Sequence, residues 1–527
     1  MAIATDQNRV HDRRWAILAV LVLSLLIVVL DNTVLNVALK VLADPNKGLA
    51  ASQSDLEWFI NSYTLVFAGM LLTWGVLGDR LGRRRILLLG FVVFGIASLA
   101  SAYSQTPGQL IAARALMGLG AAAVMPATLS IISNVFEPAE RPKAIGIWAG
   151  AVGLGIAIGP IVGGALLGHF WWGSVFLINV PIVVLGVFLI RALVPESRNP
   201  NPGRLDPVGV VLSVFGLMLV VYSLIKVGDL GSARSPQVWA TFLGGVVVLA
   251  AFVWYERRID HPTLDISLFK EPRFSAAVGA IGLVFFALMG TFFFMVFYLQ
   301  TVRGYSPLRA GVLLLPFAVA QIIAAPRSAK LVRRFGAKAV CTAGMLMVTA
   351  TFVGYALLGQ HSSIWMLEAL FFVQGFGMGN IMPPATESIM SSLPREKAGA
   401  GSAINNVSRQ IGGALGLAVL GSILAGAYRS KLQPTLNALP VPPAVRTQMG
   451  KSVQATHTVV DKVGASLHDV IPAADAAFIH AMHVTSLFSG AFGLIGTFVA
   501  WKFLPGRPAI ELPLQPELAR EGELVSE

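Results

Sequence analysis

The chain is poor in charge and nearly free of cysteine. Charged residues fill only 13% of its 527 positions, while 55% are hydrophobic, and the mean hydropathy is +0.72. A soluble domain cannot bury that much apolar surface behind so few charges. The single cysteine, Cys341, excludes an intrachain disulfide and any metal site built from several thiolates. It lies in an apolar run and reads as a small packing residue. The eight histidines are scattered, mostly in loops, so no metal-binding cluster is expected. No Gly-x-x-x-x-Gly-Lys-(Ser/Thr) stretch is present, so no ATP site and no cofactor are expected. A clustered catalytic set and a sizeable soluble domain are also missing, which weighs against a membrane enzyme or sensor. The formal net charge of +12 does not imply nucleic acid as a partner. The basic residues gather in short loops, where they orient a chain in a bilayer.

What the sequence has in abundance is long apolar runs. About fourteen reach membrane-spanning length, near residues 15–36, 57–78, 85–104, 108–134, 143–167, 174–194, 207–226, 238–256, 274–298, 310–329, 339–359, 363–390, 402–426 and 483–504. Alternate loops carry most of the bases: Arg80–Arg85, Arg141 and Lys143, Arg198 and Arg204, then Arg257, Arg258, Lys270 and Arg273, then Lys330–Lys338, and finally Arg395 and Lys397. The positive-inside rule places that side, and both termini, in the cytoplasm. The expected class is an all-α polytopic membrane protein of the cytoplasmic membrane. The first span is read as retained, since no small-residue cleavage site follows it. The expected parts are a cytoplasmic N-terminal tail (1–14), an N-terminal six-helix bundle (15–194), a linker with two inserted helices (195–273), a C-terminal six-helix bundle (274–504) and a cytoplasmic C-terminal tail (505–527). Residues 427–482, with Pro434, Pro440, Pro442 and Pro443, read as an extracellular surface loop with a short helix.

The division into two bundles comes from a weak internal repeat at an offset of about 254–257 residues. Gly75…Asp79-Arg80-Leu-Gly82 aligns with Ala329…Arg333-Arg334-Phe-Gly336. Leu116-Met-Gly118-Leu-Gly120 aligns with Val373-Gln-Gly375-Phe-Gly377. Gly155-x-x-x-Gly159 aligns with Gly412-x-x-x-Gly416. Two repeats on either side of an insert imply two bundles around a central cavity that opens alternately to each side.

Four stretches carry possible chemistry. The first is the basic hairpin Gly75-Val-Leu-Gly78-Asp79-Arg80-Leu-Gly82-Arg83-Arg84-Arg85, too charged to enter a bilayer. Its lone acid, Asp79, has three available roles: capping the helix that follows, pairing with an arginine, or meeting the end of a helix from elsewhere. The second is Asp31. Counted from Trp15, it lies roughly 24 Å up a ~30 Å core, and an intramembrane acid is by default functional. The third is Arg114, which enters from the opposite end and lies about 9 Å in, at a depth similar to Asp31. A buried arginine needs a partner, and Asp31 is the evident one. The pair is either a proton-coupling device or a static link between helices. The fourth is Gly155…Gly159-Pro160…Gly163-Gly164, whose small residues allow close helix contact and whose proline bends the helix. Glu387, after Pro383-Pro384, reads either as a second proton site or as a hydrated residue near the interface. Asn36, Asn61, Tyr63, Phe293, Phe297, Gln321, Gln374, Asn405, Asn406 and Arg409 are further candidates for lining a substrate cavity. The aromatic run of the ninth span suits flat lipophilic or cationic ligands, although packing accounts for most of its members.

The basic hairpin resembles the signature loop of the major facilitator superfamily of secondary transporters. In combination, Leu30-Asp31-x-Thr33-Val-x-Asn36-Val-Ala-Leu39, Leu110-x-x-x-Arg114-x-x-x-Gly118-x-Gly120, the Gly155–Gly164 motif, Phe176-Leu-Ile-Asn179-Val-Pro181 and Asn405-Asn406-Val-Ser-Arg409-Gln-Ile-Gly412-Gly413 resemble the fourteen-span drug:proton antiporters of the QacA/EmrB type (DHA2). The resemblance spans nearly the whole chain. It implies the major facilitator fold and export of small amphipathic drugs, antibiotics or secondary metabolites, driven by the proton gradient, by a monomer in the bilayer. It assigns proton coupling to Asp31 and Arg114, the conformational switch to Gly75, Asp79, Arg80, Gly82 and Arg83, and the export-type hinge to Gly155, Gly159 and Pro160. A dedicated carrier for one metabolite, amino acid or siderophore is the nearest alternative. Three positions depart from the family pattern. Lys40 replaces a usual proline, Met117 replaces a frequent glutamine and so removes a hydrogen bond, and Arg333 replaces the acid in the second switch loop.

Overall fold

The computed structural model describes residues 2–42, 48–51, 53–198, 206–230, 235–259, 266–394, 397–450, 452–463, 467–504 and 506. The side chains of Asn36, Lys40 and Pro160 lie outside the described set, as do parts of the 195–273 linker and all of the 505–527 tail except Gly506. Every regular element among the described residues is helical. In chain order these are α1 (Ala2–Leu42), α2 (Gln53–Leu81), α3 (Arg83–Ala102), α4 (Pro107–Val135), α5 (Arg141–His169), α6 (Ser174–Leu177), α7 (Asn179–Leu193), α8 (Pro207–Leu230), α9 (Pro236–Glu256), α10 (Pro272–Phe297), α11 (Pro307–Leu313), α12 (Leu315–Tyr355), α13 (Ile364–Ser391), α14 (Ala398–Ala438), α15 (Pro443–Met449), α16 (Val453–Val463) and α17 (Val470–Phe503). Local chemistry sets the starts of several. At α4, Thr106 accepts from the Gln109 amide, Gln109 reaches back to the cap and Pro107 opens the first turn, which satisfies donors that a helix start leaves unpaired.

Among the described residues, eleven helices are long and apolar enough to cross a membrane, and a helix covers each of the fourteen expected segments. The two counts differ at three places. The segment Arg309–Tyr355 enters as one span, yet it breaks at Gly336, whose φ is 85°. Pro207–Ser223 is apolar but short. Helix α5 is 29 residues long and is not among the eleven.

The internal repeat reappears in space. Gly82 has φ 114° and Gly336 has φ 85°, a left-handed turn that only glycine adopts without cost, at matched positions of the two halves. A Cβ on Gly120 would stand 2.7 Å from the Gly90 carbonyl of α3, and one on Gly377 would stand 2.7 Å from the Gly344 carbonyl in the second part of α12. Gly155 and Gly159 press α5 onto Val29 and Thr33 of α1, and Gly412 and Gly416 press α14 onto Gly282 and Phe286 of α10. Backbones this close require small residues at the crossing. The inserted α8 and α9 pack on each other, with Gly245 against Val220, and α8 also touches α2 and α14.

Residues 427–482 are not a surface loop with one short helix. Helix α14 continues through Pro434 to Ala438 and α17 already begins at Val470, with α15 and α16 between them. Polar residues lower the hydropathy of this stretch because they are spent on bonds between the helices. The Tyr428 and Thr456 hydroxyls lie 2.7 Å apart. His457 Nε2 lies 2.8 Å from Asp475 Oδ1, and Gln360 Nε2 donates to Asp475 Oδ2 at 3.1 Å. Leu432, Leu436, Met449 and Val460 are buried beneath them.

Candidate functional site

Asp31 on α1 and Arg114 on α4 form a fully buried ion pair, Nη1 to Oδ2 at 2.5 Å, with each side chain about 1% exposed. The rest of the guanidinium is also occupied. Nε donates to the Phe59 carbonyl at 3.0 Å, the Met117 sulfur lies 3.7 Å from Nη1, and the Tyr63 ring sits beneath it at 4.5 Å. The other carboxylate oxygen of Asp31 accepts from Asn179 Nδ2 at 3.1 Å. Asn179 also donates to Ser98 Oγ at 3.0 Å, and Ser98 donates to the Phe176 carbonyl at 2.9 Å. The Asp31 carboxylate of α1 is therefore bonded directly from α4 and α7, while α3 holds Asn179 and α2 holds Arg114. Burying a carboxylate is costly unless a charge and hydrogen bonds compensate it, and both are present here. The pair ties α1 to α4.

The depth estimate brought Asp31 and Arg114 together correctly. Asn179 and Ser98 were missed as partners. Asn179 stood in a family motif without a role, and the 148 residues separating it from Asp31 leave no local signal. Tyr63, a cavity candidate, belongs to this site. Met117 does not simply delete a hydrogen bond, because its sulfur accepts from Ser101 Oγ at 3.3 Å and faces Arg114. The glycine motif of α5 packs on the same stretch of α1. Thr33 Oγ1 donates to the Gly155 carbonyl at 3.3 Å, Gly159 abuts Thr33 and Gly163 abuts Val34, whereas Gly164 faces open space.

A second cluster lies where the basic loops meet. Asp79 does not cap α3, the helix that follows it. Its Oδ1 accepts from Arg83 Nε at 3.0 Å and Nη2 at 2.8 Å. The same carboxylate accepts from the first backbone amides of α14, Gly399 N at 2.9 Å and Ala400 N at 3.2 Å. Both remaining roles open to Asp79 are thus filled at once. An anion at a helix N-terminus satisfies orphan donors and complements the helix dipole. Gly75 lets the chains meet, since a Cβ there would stand 2.6 Å from the Gly399 carbonyl. Gly82 is needed for its left-handed φ and because a Cβ would stand 2.6 Å from Glu196 Oε1. Glu196 accepts from the Arg84 amide at 3.1 Å and gathers the Arg84 and Arg85 side chains. Arg80 is half-buried, and its Nη1 makes no hydrogen bond. Nearby, Arg141 at the start of α5 reaches Glu387 of α13 at 3.7 Å, so Glu387 is paired across the two halves rather than simply hydrated. Gly146 lies against the Ala325 carbonyl, where a Cβ would stand at 2.5 Å. Helices α2 and α5 of the first half are thereby locked to α12, α13 and α14 of the second at the end bearing the basic loops.

The other cavity candidates separate. Gln321 is buried against Gly153 of α5, on the seam between the halves. Arg409 is buried there too, with Phe285 at 4.7 Å and Trp148 of α5 at 5.9 Å. Asn405 bonds Thr386 at 3.2 Å, Asn406 bonds the Ser402 carbonyl and Gln374 bonds Tyr355 at 3.0 Å, all inside the second half. Phe297 packs on Phe478 and on Phe293, whose outer face is exposed. Asn61 is half-buried.

Residues 21–417 match the family model described as Major Facilitator Superfamily. The chain is 37% identical over 497 residues to the "Multidrug efflux pump LfrA" of Mycolicibacterium smegmatis, covering 93% of this chain and 96% of that protein. It is 36% identical over 492 residues to the "Methyl viologen resistance protein SmvA" of Salmonella typhimurium, covering 93% and 98%. Among solved structures, the human organic anion transporter MFSD10 superposes with a TM-score of 0.61 at 15% identity, covering 94% of this chain and 99% of that one, a likeness of fold.

Proposed function

The chain belongs to the Major Facilitator Superfamily, and from that membership we propose that it is a drug exporter, a multi-pass transporter that moves small amphipathic compounds out across the cytoplasmic membrane in exchange for protons. Its relatives along nearly the full length are a multidrug efflux pump and a resistance protein, which favours drug efflux over a carrier dedicated to one metabolite. The observation that carries proton exchange is the buried Asp31–Arg114 pair held by Asn179. It is a buried acid held by one guanidinium and one amide, where α1 meets α4 and α7.

The exchange runs as follows. With the basic face closed, Asp79 holds the α14 N-terminus and Arg141 holds Glu387. This is the outward-facing state if the basic loops are cytoplasmic, with both termini on that side. A proton arriving at Asp31 from outside neutralises it, frees Arg114 and loosens α1 from α4. The Asp79 and Glu387 contacts then break, the basic face opens and the proton leaves inward as substrate enters. Substrate loading and return of Asp31 to its charged form close the basic face again. The proton gradient supplies the free energy, and each residue named in the cycle comes from the same chain.

The test is substrate accumulation in a bacterial host lacking its own efflux pumps. Cells expressing the chain are expected to hold less of at least one fluorescent amphipathic cation than control cells. A protonophore should abolish the difference. Equal accumulation of every compound in a broad panel would contradict drug efflux and return the dedicated carrier, and export that persists without a proton gradient would contradict the coupling.

A further inference from the structure

One buried cation at the seam between the halves has no counter-charge. Arg409 of α14 is 8% exposed, and its Nη1 makes no hydrogen bond. Among the described residues it forms no ion pair. The acids of the two sites above are taken: Asp31 by Arg114 and Asn179, Asp79 by Arg83 and the start of α14, and Glu387 by Arg141. What flanks the guanidinium is aromatic, Phe285 of α10 at 4.7 Å and Trp148 of α5 at 5.9 Å, one ring from each half. Rings attract a cation through their faces but do not replace an oxygen acceptor for its N–H groups. A second donor stands one turn away. Asn405 is fully buried; its Oδ1 accepts from Thr386 at 3.2 Å, and its Nδ2 has no partner. Residues four apart share a helix face, so two unsatisfied donors lie along one face of α14. Counted from Ala398, Arg409 lies about 16 Å along the helix, near the middle of a ~30 Å core. An uncompensated charge at that depth is expensive and marks a functional position. In transporters built from two repeats, substrate sits near the midplane between them.

We propose that Arg409 and Asn405 form an acceptor-binding subsite for the exported compound, and that the compounds it selects carry a carboxylate or, more weakly held, a carbonyl oxygen. This rests on the drug-export reading and names the substrate class that the reading leaves open. The guanidinium fork matches a carboxylate in charge and in shape, and Asn405 Nδ2 offers one more donor to the same group. Trp148 belongs to the first half and Arg409 to the second, so a carboxylate bound here stands at the seam that opens and closes. A cation without an acceptor gains no hydrogen bond from these donors and is repelled by Arg409. A flat cationic dye is therefore favoured when it also bears an acid group.

The test measures binding to the purified full-length chain in detergent by fluorescence anisotropy. The probes are a rhodamine with a free carboxylate and the same dye as its methyl ester, together with further acid and methyl-ester pairs of flat fluorophores. The wild type is expected to bind the acid about tenfold more tightly than its ester in at least one pair. That preference should vanish in Arg409→Gln, survive in part in Arg409→Lys, which keeps the charge but loses the fork, and weaken about threefold in Asn405→Ala. Arg258→Gln removes an exposed charge just past the end of α9 and should leave the preference intact. If Arg409 served packing alone, both affinities would fall together and their ratio would stay. No preference for the acid in any pair, a ratio that survives Arg409→Gln, or an equal loss of preference in Arg258→Gln would each overturn the subsite. Efflux of the same dyes from cells tests the export reading separately. Equal accumulation with and without the chain would contradict export without altering the binding ratio on which the subsite stands.

Discussion

At the scale of single residues, one buried acid dominates. Asp31 and Arg114 are almost wholly shielded from solvent, so removing one partner leaves the other charge uncompensated, at a cost of about 3–5 kcal/mol. Arg114→Gln is accordingly expected to lower the thermal midpoint of the purified protein clearly, and Asp31→Asn to do the same to a smaller degree, because an amide oxygen still accepts from the guanidinium. The double variant Asp31→Asn/Arg114→Gln should recover much of the lost stability while remaining inactive, since it has no ionisable group left at the site. A double variant no more stable than Arg114→Gln would mean the two side chains are not coupled. Asn179→Ala removes a donor to a charged acceptor, a loss of about 1.5–3 kcal/mol. It should impair transport while leaving the basic face closed, a combination readable by pairing flux with labelling of that face. Depth along two helices sufficed to pair Asp31 with Arg114 from sequence. It could not reveal Asn179 and Ser98, because their contribution depends on where α7 meets α1 and α3, and crossing geometry leaves no mark in a single helix.

Among elements, the N-terminus of α14 is the most informative. Its first amides are bonded by a carboxylate 320 residues away in sequence, so Asp79 both orders the α2–α3 turn through Arg83 and clamps the second half. Each of its two bonds to α14 is charge-assisted and worth about 1.5–3 kcal/mol. Asp79→Asn should therefore move the closed-to-open ratio of the basic face by an order of magnitude or more. The lone native cysteine, Cys341, is buried, so a reporter placed at the buried Ser402, three residues beyond the clamped Gly399 of α14, gives a clean signal. Maleimide labelling of Ser402→Cys is expected to be slow, and to accelerate at least tenfold when Asp79→Asn is added. Unchanged labelling would mean the clamp does not hold that face shut. The basic hairpin was plain from sequence because four arginines cannot enter lipid, but its docking partner was not. The α14–α17 extension was misread for a related reason. Hydropathy counts Tyr428, Thr456, His457 and Asp475 as polar and exposed, whereas in the fold they satisfy one another between helices.

Over the whole molecule, two halves share one construction. The same glycines make the same approaches in each, and the left-handed glycines at 82 and 336 mark equivalent turns. The halves differ at their charged residues. Only the first carries the Asp31–Arg114 pair, and only its turn has an acid that reaches across, since Arg333 stands where Asp79 would be. The missing acid of the second turn was legible in the aligned repeats; the one-sided ion pair was not among them. The closed seam at the basic end was not legible, because it depends on which surfaces of α2, α5, α12, α13 and α14 meet. A bulkier residue at that seam should disturb the closed state alone. Gly75→Val, pressed against the Gly399 carbonyl, is expected to raise Ser402→Cys labelling as Asp79→Asn does while leaving the Asp31 pair and the thermal midpoint of the first half intact.

The experiment to perform first is flux in proteoliposomes holding the purified chain, with an imposed pH gradient and a pH-sensitive dye in the lumen. A transported amphipathic compound should discharge the gradient in proportion to its own movement for the wild type. Asp31→Asn should bind the same compound yet leave the gradient untouched. Discharge by Asp31→Asn at the wild-type rate would contradict coupling at Asp31, and uptake by the wild type that ignores the gradient altogether would contradict proton exchange itself.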